Sequence, residues 1–74
     1  MKIIIKTIHE IYTINILEPS ISINNLITNI AIKEYTIKEN ISILYKNEII
    51  KYSDENNQKF ISDDCYLFVI IKNI

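Results

Sequence analysis

Seven consecutive apolar residues, Cys65 to Ile71 (CYLFVII), constrain the fold more than any other feature of this 74-residue chain. The run lies between Asp63-Asp64 and Lys72-Asn73, is too short for an ordinary helix, and is rich in β-branched and aromatic side chains. It therefore predicts a strand. Alternation puts Leu67, Val69 and Ile71 on one face and Tyr66, Phe68 and Ile70 on the other. Apolar residues on both faces mark a central strand covered on both sides. A chain this short has material to cover only one side well, so one apolar face is expected to stay open to a partner.

The rest of the chain supplies the neighbours that such a strand needs. From Met1 to Ile8, Met1, Ile3 and Ile5 alternate with Lys2, Ile4, Lys6 and Ile8. After His9-Glu10, Tyr12, Ile14 and Ile16 face one way and Thr13 and Asn15 the other, which predicts an antiparallel hairpin. Its turn has no Gly, Asn or Asp where a tight two-residue turn wants one, so a longer, bulged loop is predicted. Glu18-Pro19-Ser20 holds the only proline and ends the hairpin.

Ser22 can then cap a helix whose apolar stripe is Ile23, Leu26, Ile27, Ile30 and Ala31. Strand patterning returns at 41–50, with Ile41, Ile43 and Tyr45 opposed to Ser42, Leu44 and Lys46. There Asn47 is a turn residue tolerant of positive φ, and Ile49-Ile50 form a further short strand. Residues 52–59 are polar and irregular, pinned by Phe60-Ile61. The order strand, strand, helix, strand, short strand, strand predicts one α+β domain over 1–74. It is a mixed four- to five-stranded sheet with one helix across one face.

Composition narrows the function. With 49% hydrophobic and 23% charged residues the chain is globular. Cys65 is its single cysteine and no charged-then-apolar leader opens it, so a reducing intracellular compartment, cytoplasmic or nuclear, is expected. No apolar run approaches the roughly 18 residues of a membrane span, and no membrane partner is expected. A net charge of -1, with scattered lysines and no arginine, argues against a nucleic-acid surface.

Abundant Ile, Asn, Lys and Tyr beside absent Gly, Arg and Trp is the usage of an AT-rich coding sequence, and points to a viral or parasitic source. One histidine, His9, and one cysteine with no third orienting group do not make a catalytic set, so no enzyme is expected. The scattered carboxylates lack metal-ligand spacing, and no cofactor is expected.

Beyond pattern, particular residues stand where a known family has them: Met1-x-Ile3-x-x-Lys6-Thr7 at the start, Glu18-Pro19-Ser20 before the helix, Ile23, Asn25, Ile30, Lys33 and Glu34 along it, and Ile61 and Leu67 in the last quarter. In register from end to end without a net gap, the chain resembles ubiquitin. The resemblance implies a ubiquitin-like β-grasp roll and an exposed patch that ubiquitin receptors grip. That patch corresponds to Ile8, Leu44, Phe68 and Ile70, all apolar here, with Phe68 in place of a histidine. Lys2, Ile4 and Tyr12 are expected to form a second small patch. Of the lysines through which ubiquitin chains are linked, Lys6 and Lys33 remain, while Ile11, Ile27, Asn29, Glu48 and Asp63 stand at the others.

The departures carry expectations of their own. The alternation at Tyr12 to Ile16 is one residue out of step with the family, which implies a longer hairpin loop balanced by a bulge near Leu17. Glu10, Tyr35 and Asn47 replace glycines, and a positive φ at Tyr35 costs about 1 kcal/mol. Ile27 and Tyr52 together replace a buried ion pair, a coupled change that can be neutral or stabilising. Asn56 and Lys59 stand in place of a buried leucine and a tyrosine.

Lys72-Asn73-Ile74 stands where the family has a flexible tail ending in Gly-Gly, so conjugation is not expected. The expectation is a non-conjugatable module that presents its apolar patch to ubiquitin-binding or ubiquitin-pathway proteins. Two alternatives remain open: a structural subunit that buries the same face in an oligomer, and a ubiquitin-type modifier whose Gly-Gly tail is missing from this chain.

Overall fold

The computed structural model describes residues 1–72; Asn73 and Ile74 of the tail lie outside the described residues. Strands β1 (Lys2–Lys6) and β2 (Ile11–Asn15) form the predicted hairpin, paired from Lys6 with Ile11 to Lys2 with Asn15. Its loop, Thr7 to Glu10, is longer than a tight turn and is organised by buried Thr7. The Thr7 hydroxyl accepts from the N–H groups of His9 and Glu10, each at 3.1 Å, and the Thr7 N–H donates to the Glu10 carbonyl at 2.9 Å.

The bulge expected near Leu17 does not form. The ladder runs on unbroken to Met1 and Ile16, which exchange two hydrogen bonds of 2.9 and 2.8 Å, and Leu17 lies exposed beyond it.

Strand β3 (Ile21–Ser22) pairs with β6 (Phe60–Ile61) and feeds directly into helix α1 (Ile23–Lys33). Ser22 caps the helix as expected, its hydroxyl accepting from the Asn25 N–H at 3.1 Å. The buried residues of α1 are Ile23, Leu26, Ile27, Ile30 and Ala31, the stripe that the sequence predicts. The helix closes through Tyr35 at φ 56°, with the Glu34 N–H donating to Ile30 and the Thr36 N–H to Ala31. Glycine normally holds this left-handed position. The Tyr35 side chain is 98% exposed and gains no packing there, so the backbone bears the strain of about 1 kcal/mol uncompensated.

Strands β4 (Ile41–Tyr45) and β5 (Glu48–Lys51) follow, joined by Lys46 at φ 50° and Asn47 at φ 67°. Two successive left-handed residues make the turn that suits the twist of a two-residue hairpin. Lys46 therefore belongs to the turn and not to the strand, where its alternation with Leu44 had placed it. Residues 54–58 form a short 3₁₀ helix inside the segment expected to be irregular.

Strand β7 (Cys65–Ile71) lies between β1 and β4 in a five-stranded sheet of order β2-β1-β7-β4-β5. It runs parallel to β1 and antiparallel to β4, so it is the central strand its composition demands. Ile3, Ile5, Ile41, Ile43, Leu67 and Val69 project from the inner face into one core with Leu26, Ile27 and Ile30 of α1. Each such burial is worth about 1.5–3 kcal/mol. The helix covers this face alone, and no element among the described residues covers the outer face of the sheet.

Candidate protein-binding face

Strand alternation decides what the outer face presents, and strand order decides which residues meet there. The pairings Lys6 with Ile11, Lys6 with Phe68, Phe68 with Leu44 and Leu44 with Ile49 draw one row across all five strands: Ile11, Lys6, Phe68, Leu44, Ile49. Beside it Thr13, Ile4 and Tyr66 form a second row, and Ile70, Ser42 and Lys51 a third. Leu44 is 44%, Ile70 48% and Ile49 63% exposed, while Phe68 between them is half-buried.

Ile8 lies in the β1–β2 loop, 73% exposed, and lines a cavity of about 200 Å³ together with Ile70, Thr7, His9 and Glu34. The four residues expected to form the patch thus come together: Leu44 and Phe68 as cross-strand partners, Ile70 next along β7, and Ile8 at the rim. Two further residues of the face escaped the sequence reading, Ile11 and Ile49, while Tyr66 lies where strand alternation puts it, on the face of Phe68 and Ile70. The signal for Ile49 was present in the hairpin turn, which fixes its pairing with Leu44 once Lys46 and Asn47 are recognised as the turn.

Charge on this face has one sign. Lys2, Lys6 and Lys51 occupy outward strand positions, and no Asp or Glu occupies one. The carboxylates of an acidic chain lie on loops, on the helix side and at the sheet's margins.

No family model matches the sequence, and no curated protein matches it. Solved structures do match. The solution structure of the N-terminal ubiquitin-like domain in the 4931431F19Rik protein superposes with a TM-score of 0.74 at 12% identity, over 100% of this chain and 76% of that one. The chain has the ubiquitin-like fold. The crystal structure of ATBAG1 in complex with HSP70 gives a TM-score of 0.72 at 16% identity, over all of this chain, which spans 41% of that one.

Within the ubiquitin-like frame, the expected second patch is split. Lys2 and Ile4 lie on the outer face, but Tyr12 pairs with buried Ile5 and points inward; Thr13, opposite Ile4, takes the outward place. The reason is the alternation itself, which already grouped Tyr12 with Ile14 and Ile16. Tyr12 instead joins β2 to the end of α1. The Lys33 ammonium lies 5.0 Å from its ring centroid. The Tyr12 hydroxyl and Glu34 Oε2 are both shut off from solvent without a hydrogen-bond partner among the described residues. Burial first, and the Glu34 carboxylate second, hold the Tyr12 phenol well above the ordinary tyrosine range.

Of the two candidate linkage lysines, Lys6 is half-buried between Ile11 and Phe68 on the outer face, and exposed Lys33 rests over Tyr12. Cys65 sits beside Ile3 at the start of β7, whereas His9 lies in the loop beyond the far end of β1, so the two do not meet. Burial above all, then Asp64 and Asp63, raise the Cys65 thiol, which disfavours the reactive thiolate. No group of three or more His, Cys, Asp or Glu that could hold a metal ion occurs among the described residues. Among the described residues no helix is long and apolar enough to cross a membrane.

The substitutions inside the ubiquitin-like core have settled in different ways. Ile27 is fully buried, and half-buried Tyr52 packs against the core with the Lys38 ammonium 4.1 Å from its ring centroid. Asn56 is buried and keeps its polarity: its amide donates to Asn24 Oδ1 at 3.1 Å and to the Lys51 carbonyl at 2.6 Å. Asn24 in turn donates to the Ser53 carbonyl at 2.9 Å. An amide pair from α1 and the 3₁₀ helix holds the segment where the family buries a leucine.

Proposed function

We propose that this chain is a noncovalent protein-binding module that presents Ile8, Leu44, Phe68 and Ile70 to proteins that recognise ubiquitin. What carries the reading is the apolar row through Leu44 and Phe68 on a sheet face that no element among the described residues covers. Scattered exposed apolar residues need no explanation, but a contiguous apolar surface of this kind marks an interaction site.

The lysine-only charge around the row favours a partner whose apolar anchors are flanked by carboxylates, since complementary charge speeds encounter and fixes register. An amphipathic helix laid across the strands has the required shape. Partners of this sort place the chain in the cytoplasm or nucleus. The complex of ATBAG1 with HSP70 is a case of a structurally similar protein engaging a protein partner.

Competition tests the reading. A ubiquitin-associated domain bound to this chain should be displaced by added ubiquitin, because both would occupy the same site. Simultaneous binding of both, or no binding to such a domain, would exclude the proposal. A structural subunit that buries the same face permanently would show no free face to titrate and would sediment as an oligomer.

A further inference from the structure

The outer edge of β2 has no strand partner among the described residues. In the β1–β2 ladder, Met1 and Ile16 exchange both hydrogen bonds, and the Thr7 N–H donates to Glu10. Antiparallel pairs alternate between bonded and non-bonded, so Tyr12 and Ile14 also turn their backbone groups to β1. Ile11, Thr13 and Asn15 then turn theirs away from the sheet, and these groups have no backbone partner among the described residues.

Natural edge strands are protected by charge, proline, bulges or shortness. β2 has none of these: Ile11-Tyr12-Thr13-Ile14-Asn15 is uncharged, regular and free of proline and glycine. The opposite edge, β5, is shorter and carries Glu48 and Lys51 at its ends.

We propose that β2 pairs antiparallel with β2 of a second copy of this chain across a two-fold axis at Thr13, joining two sheets into one. In that register Thr13 meets Thr13 of the second copy, and Ile11 meets its Asn15 in both directions. These are the residues whose backbone groups point outward, so all of them are satisfied at once. On the helix side Tyr12 meets Ile14 of the second copy, an aromatic with β-branched pair that stabilises sheets, and the Thr13 pair does the same on the outer face. No charge opposes a like charge along the strand.

A second copy fits this edge through its side chains: in that register Tyr12 falls opposite the β-branched Ile14, Thr13 opposite Thr13, and no side chain from Ile11 to Asn15 is charged. The pairing is isologous and closes at a dimer, and the charged β5 edge discourages further growth. It leaves the row through Leu44 and Phe68 uncovered and places two copies of it on one continuous face. The dimer therefore stands or falls independently of the proposed function.

Sedimentation equilibrium over a concentration series, with amide spectra of the labelled chain, tests it. The expected result is a monomer–dimer equilibrium with concentration-dependent shifts at Ile11, Thr13 and Asn15 and none at Leu44 or Ile70. Thr13→Pro removes only an outward N–H and leaves the β1 ladder whole, while Thr13→Lys sets like charges against each other at the axis. Each should weaken association at least about tenfold, and Ile49→Lys on the far edge should leave it unchanged. If Thr13→Pro unfolds the chain, Thr13→Lys alone decides. A monomer at the highest soluble concentration, or a dimer that Thr13→Lys leaves intact, overturns the proposal.

Discussion

Leu44 and Phe68 lie directly opposite each other in the β4–β7 ladder, on the face of the sheet turned away from α1. Because neither contributes to the core, the proposed recognition is separable from stability. Leu44→Ser should lower unfolding free energy by less than about 1 kcal/mol. Ile43→Ala, one residue away and fully buried, should lower it by about 3 kcal/mol. Urea denaturation followed by circular dichroism checks both.

The Asn24–Asn56 pair predicts strong coupling. Asn56→Ala leaves Asn24 Oδ1 and the Lys51 carbonyl without this donor in a buried site. The loss should be about 2 kcal/mol. Asn24→Ala should cost a similar amount, and the double variant clearly less than the two single losses together, because both remove one network. A double-mutant cycle in urea measures the difference, and strict additivity would contradict the network.

Backbone strain at Tyr35 predicts a stabilising substitution. Tyr35→Gly relieves a left-handed non-glycine residue whose side chain packs against nothing, and should raise stability by about 0.5–1 kcal/mol. Thermal melts should show a midpoint higher by a few degrees. Tyr66→Gly, in the extended backbone of β7, should lower it.

Tyr12 predicts a specific alkaline effect. Its phenol titrates higher in the folded chain than the ordinary value of 10.0. Above that pH the unfolded chain loses the proton while the folded chain still holds it, so fewer protons are bound in the unfolded state and stability falls as pH rises. The contribution of the neutral phenol is fully present below pH 10 and is lost on going higher. Tyr12→Phe should therefore lose less stability than the parent chain between neutral and strongly alkaline pH, as read from urea midpoints across a pH series.

Much of this was legible locally. The apolar stripe of α1 and its Ser22 cap are set by residues within one or two helical turns, and strand alternation correctly divided Leu67 and Val69 from Phe68 and Ile70. Asn47 and Tyr35 announced their backbone positions by standing where the family uses glycine. What stayed hidden depends on contacts across the chain. Ile11 and Ile49 join the outer face only because β2 and β5 take their places in the sheet order. Asn56 stands where the family buries a leucine, and what satisfies it there is Asn24 on another element, which accepts its hydrogen bond. Tyr12 follows this chain's own alternation with Ile14 and Ile16 to the inner face, and not the expected second patch.

Titration of the isotopically labelled chain with a ubiquitin-associated domain tests the proposed binding face most directly. The expected result is a set of saturable amide shifts clustered at Leu44, Phe68 and Ile70 and spreading to Ile49, with affinity reduced at least about tenfold by Leu44→Ala. An absence of shifts at Leu44 and Ile70, or equal binding by Leu44→Ala, would contradict it.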